Sequence, residues 1–144
     1  MLSQSRRGLE GSDSPAAGAE VGKEVAQLRQ IEGQLRISND DYWATQTGIL
    51  LREIEAWSAQ ADHRSEEAVA MMRHAADEED VIEKLPITPG PIVPAREQLG
   101  DLLLEQNQPA LAAKEFATTL INSPGRRGAV RGAATAATDS PTHK

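Results

Sequence analysis

Apolar residues recur at three- and four-residue intervals along most of the chain, and these intervals predict helices throughout. Residues 19–37 carry a stripe of Val21, Val25, Leu28, Ile31 and Leu35, weakened by Gly22 and Gly33. Residues 40–60 carry Trp43, Leu50, Ile54 and Trp57, continued by Ala61, on one side of a second helix. A third, over 65–84, turns Ala68, Met71, Met72 and Ala75 inward, with Val81 and Ile82 holding its end. Leu99, Leu102 and Leu103 mark a fourth, and Ala112, Phe116, Thr119 and Leu120 a fifth. A last alanine-rich helix covers 127–137.

The polar breaks fall where helices must stop. In Ser38-Asn39-Asp40-Asp41, Asn39 is placed to cap the following helix, and the aspartates favour its positive end. Asp62-His63-Arg64 is a turn with Ser65 as cap. Gln106-Asn107-Gln108 is another, after which Pro109 restarts a helix where its missing N–H is harmless. Ser123-Pro124-Gly125 ends the fifth helix. Pro86 ends the third and begins a stiff connector over 85–94, with Ile87 or Ile92 expected to lie buried against the hairpin. Residues 1–18 and 138–144 read as a disordered arm and tail around one helical domain, 19–137.

Within this domain residues 93–126 resemble the tetratricopeptide repeat, a helix–turn–helix unit of about 34 residues. Leu99 and Gly100 match its large-then-small pair, Leu103 its next large residue, Ala112 its small one. Phe116 matches its aromatic and Pro124 its closing proline, while Arg96 and Thr119 depart from the usual aromatic and alanine. A degenerate unit over 40–84 repeats it at an offset of about 44 residues, setting Ala68, Met72 and Ala75 against Ala112, Phe116 and Thr119. Residues 127–137 supply half of a third unit. The resemblance implies an all-α fold: stacked helical hairpins forming a short, right-handed tetratricopeptide-like solenoid behind an N-terminal helix. It also implies a concave groove for a partner peptide, lined by Glu97, Gln98, Asp101 and Glu105. By the offset, Glu53 and Trp57 join it from the preceding unit and Arg131 from the following one.

Charge and composition narrow the chemistry. A net charge of -7 opposes nucleic-acid binding, which needs a basic face. With no cysteine, neither disulfides nor thiolate metal sites are available. Neither a secretory leader nor a run of about 20 apolar residues is apparent, which makes a cytoplasmic, soluble protein the default. No cofactor motif, nucleophile elbow or phosphate loop is present, so the expectation is no enzyme activity, no cofactor and no metal.

The expected function is a protein–protein interaction scaffold binding a protein or peptide, basic in character because Glu97, Asp101 and Glu105 form one acidic column. Two alternatives stand beside it. One is self-association through 127–137, or membership of a longer repeat array, since Val130 is the only large apolar side chain there amid a small-residue surface. The other is a metal-dependent enzyme or carrier using His74, Asp77 and Glu78 at helical spacing, which lacks a second nitrogen ligand. The run Asp77 to Asp80 reads as a solvated helix end.

Overall fold

The computed structural model describes residues 15–82 and 90–139, which form six α-helices packed each against the next. They are α1 (Pro15–Ile37), α2 (Asp41–Ala61), α3 (Ser65–Val81), α4 (Ala95–Glu105), α5 (Pro109–Asn122) and α6 (Arg127–Asp139). Contacts between successive helices dominate, and α4 also touches α2 and α6. This is the arrangement of a helical repeat: α2–α3 and α4–α5 are hairpins, and their first helices lie beside one another.

The repeat is visible in its turns. Asn39, His63 and Asn107 all take the left-handed conformation, with φ of 59°, 61° and 59°. Each is followed by an amide that reaches back five residues, Asp40 to Leu35, Arg64 to Ala59 and Gln108 to Leu103. This backbone closure satisfies the last carbonyls of the helix before it. It also moves the capping assignments: Asn39 is a turn residue, and Asp40 and Arg64 occupy the N-cap positions of α2 and α3 without side-chain cap bonds. Pro109 starts α5 as expected, and Gly125, at φ 74°, accepts the turn into α6.

The main core gathers Leu99, Leu102, Leu103, Ala112 and Phe116 with Met72, so the residues set at the 44-residue offset share one cluster. Phe116 is fully buried, and small residues make room for it. A Cβ on Gly100 would lie 2.6 Å from Phe116 Cε1, and one on Gly132 would lie closer still to Phe116 Cζ. The following helix therefore meets Phe116 through Gly132; Val130, the expected contact, is half exposed. The glycines of α6 sit where close approach demands them, facing Phe116 (Gly132) and Glu97 (Gly128).

In α2 the expected face is displaced. Its buried residues are Ala44, Ile49, Leu51, Glu53, Ala56 and Ala59, whereas Trp43, Leu50 and Ala61 are exposed. Small residues carry the close packing, and the bulky ones turn to the side facing α4 and the connector. Helix α1 lies on α2 with Val25, Leu28 and Leu35 half covered and Val21 and Ile31 exposed.

Several boundaries also shift. Helix α1 begins at Pro15, inside the expected arm, α3 ends at Val81, and α6 extends to Asp139. Ile87 and Lys84 lie outside the described residues, and Ile92 is 92% exposed rather than buried. No helix among the described residues is long and apolar enough to cross a membrane.

Candidate binding face

Helices α2, α4 and α6, the first helices of successive units, present one continuous side. The structure brings several of the expected groove residues together on it. Trp57 Nε1 donates to Gln98 Oε1 at 2.9 Å, joining α2 to α4. Gln98 Nε2 in turn donates to the Val93 carbonyl at 3.2 Å, and the same side chain bonds Glu53. Asp101 and Glu105 are exposed, and Arg131 of α6 lies near enough to act electrostatically on Asp101. Asp101 is accessible, yet its carboxyl is raised above the ordinary value, first by desolvation from surrounding protein and then by the charge of Glu97, with Arg131 opposing. A side chain both accessible and desolvated sits on a sheltered surface rather than a protruding one.

Glu97 does not belong to this accessible set. It is buried, with 5% of its surface exposed, and ion-paired with Arg126 Nε. The same guanidinium donates through Nη2 to the Ile92 carbonyl. Glu97 therefore ties α4 to the α5–α6 loop and to the connector. Its place in the acidic column had suggested exposure, but Arg126 is 29 residues away in sequence and no helical spacing reveals the pair.

The acidic run at the end of α3 is also internal. Asp77 and Asp80 accept from Arg96 at 2.6 and 2.7 Å, and Glu78 pairs with Arg52. The Glu79 carboxylate accepts the Ala95 amide at 3.2 Å, at the start of α4. Arg96 also donates to Glu115 at 2.8 Å, and Arg73 donates to the other oxygen of that carboxylate at 2.9 Å. Burial pulls the Arg96 pKa down, but the bonds to Asp77, Glu115 and Asp80 outweigh it and leave it raised. This network replaces the solvated helix end. Arg96, a departure from the tetratricopeptide pattern, is its hub. With Asp77 and Glu78 so engaged and His74 exposed, the expected metal trio is not assembled, and no group of three or more His, Cys, Asp or Glu among the described residues is placed to hold an ion.

A cleft of about 440 Å³ opens between α2, the end of α3, the start of α4 and the connector. Trp43, Leu50, Ile92 and Val93 stand partly exposed around it, and Glu53 and Gln98 supply its polar groups. Glu53 is only 7% exposed. Burial raises its pKa from 4.5 to about 7, helped by the nearby charge of Glu79, while the bond from Gln98 opposes the rise. The sequence placed Glu53 on this side of the molecule by the repeat offset, but nothing in its neighbours predicted the cleft. The cleft depends on the connector's path past α2.

No protein-family model matches the chain, and no curated protein or solved structure matches it significantly.

Proposed function

We propose that the protein is a non-catalytic binding module, a short stack of tetratricopeptide-like hairpins that holds a partner polypeptide on the face built by α2, α4 and α6. The observation that supports this most is the sheltered, accessible surface around Asp101, where Trp57, Gln98 and Arg131 converge from three helices. Such a face offers a wide, shallow surface with acidic side chains, suited to an extended or helical segment carrying basic residues. The bound segment adds to the stack without reaching its core.

Selection from a displayed random peptide library tests this. Enriched sequences are expected to be basic, to bind less tightly as salt rises, and to lose at least about tenfold in affinity on Asp101→Lys. The control is Lys114→Glu on the exposed side of α5, which should leave binding unchanged. Undiminished binding by Asp101→Lys, with its helix content intact, would remove this face as the site.

A further inference from the structure

The two hairpins carry the same Arg-Glu pair at the same place. Arg52-Glu53 in α2 and Arg96-Glu97 in α4 are 44 residues apart, as are the left-handed turn residues His63 and Asn107. Both arginines reach back to the acidic end of α3, and both glutamates are buried. Their environments then diverge. Glu97 receives the guanidinium of Arg126, which also caps a backbone carbonyl of the connector. The residue at the corresponding position in the first unit is Ile82, a wall of the cleft. Among the described residues no cation faces Glu53; Gln98 bonds it and Glu79, another acid, lies near.

We propose that the cleft receives an arginine side chain of the partner polypeptide, its guanidinium taking at Glu53 the place that Arg126 holds at Glu97. This rests on the binding-module reading above and names the chemistry of the partner at one subsite. The fit has three parts. The carboxylate supplies a directional acceptor at the floor of the cleft, where a guanidinium forms charge-assisted bonds. Trp43, Leu50 and Ile92 cover the aliphatic stem of the incoming side chain and present an aromatic face for its planar head. Arginine is also the cation least penalised by leaving water, which favours it over lysine at a site this enclosed. Entry of the cation converts Glu53 to its charged form, so binding takes a proton off the protein near neutral pH.

Short capped peptides of the form Leu-Arg-Leu, with citrulline or lysine in place of arginine, test the subsite by titration calorimetry and by the fluorescence of Trp43. The arginine peptide is expected to bind at least about tenfold more tightly than its citrulline twin, which keeps the shape and loses the charge. Glu53→Gln should abolish that preference while remaining folded. Ile82→Arg, which gives the first unit its own copy of Arg126, should block the cleft and lower the Glu53 titration seen by NMR. Equal binding of the arginine and citrulline peptides, or no binding of either, would overturn the inference. So would a Glu53 that titrates in the ordinary carboxylate range in the free protein, because the chain would then supply its cation. Library peptides that depend on Asp101 and ignore Glu53→Gln would overturn this subsite and leave the binding face standing.

Discussion

Hairpins α2–α3 and α4–α5 follow one plan, and their differences separate what holds the molecule together from what is left to meet something else. They share a turn, an inward Ala at its exit (Ala68 and Ala112), a large side chain one turn later (Met72 and Phe116) and the Arg-Glu pair. In α4–α5 each of these is closed off by the helix that follows: Gly132 meets Phe116, and Arg126 meets Glu97. In α2–α3 the following element is the connector, which brings no cation among its described residues and leaves a cleft instead. The same buried acid is thus a tie in one unit and an open acceptor in the other. A repeat can acquire a recognition site by omission, through loss of the internal partner that its neighbour retains.

The largest expected effect breaks the comparison at its core. Phe116→Ala should destabilise by roughly 3–5 kcal/mol, because Gly100 and Gly132 have no side chains with which to fill the hole. Met72→Ala, at the equivalent position, should fall at the lower end of about 2–5 kcal/mol, since flexible neighbours such as Met71 can relax toward it. Chemical denaturation of both variants checks the order. A Phe116→Ala protein that melts like its parent would mean that the second hairpin is not packed as described.

The twin acids sharpen the comparison by sign. Glu97→Gln removes the charge facing Arg126 and should cost about 1–3 kcal/mol at neutral pH. Glu53→Gln should do the reverse and stabilise. A carboxyl whose folded pKa is raised to about 7 is protonated in both states below pH 4.5, so the native state suffers no penalty there. As pH rises from 4.5 to 7 the unfolded chain ionises first, stability falls, and the loss levels off above 7. At pH 8 the substitution should recover up to about 3 kcal/mol, less to the extent that water screens the cleft. At pH 4.5 it should change little. Melting curves of both variants at the two pH values would test this, and a shared sign would end the distinction between tie and open acceptor.

How much of this was legible in the sequence depends on the range over which each residue acts. The helices, the turn at Gln106-Asn107-Gln108 and the pairing of Met72 with Phe116 follow from local spacing and from one offset. The face of α2 did not, because Trp43 and Leu50 outweigh alanines in any hydrophobic pattern, yet Ala44, Ala56 and Ala59 make the close contact. The acids were misread for a related reason. Within a helix Asp77 to Asp80 and Glu97 have no opposite charge at three or four residues, but Arg96 and Arg126 reach them across the packed helices. Charge patterning along one helix finds intrahelical partners only.

The smallest effect tests whether the turns are equivalent. His63 and Asn107 both hold φ near 60°, where a Cβ is strained and asparagine is tolerated better than histidine. Glycine relieves the strain but orders a freer chain, so the two contributions partly cancel. His63→Gly should stabilise by up to about 1 kcal/mol, and Asn107→Gly by a few tenths at most. His63 is exposed and receives no side-chain bond that the change would break, so the difference between the variants isolates the backbone. Thermal melts at a pH where histidine is neutral, such as 8, keep its charge from contributing. A larger gain at Asn107 than at His63 would show that the turns, despite matching φ values, are held by different forces, and the correspondence of the two hairpins would then stop at their cores.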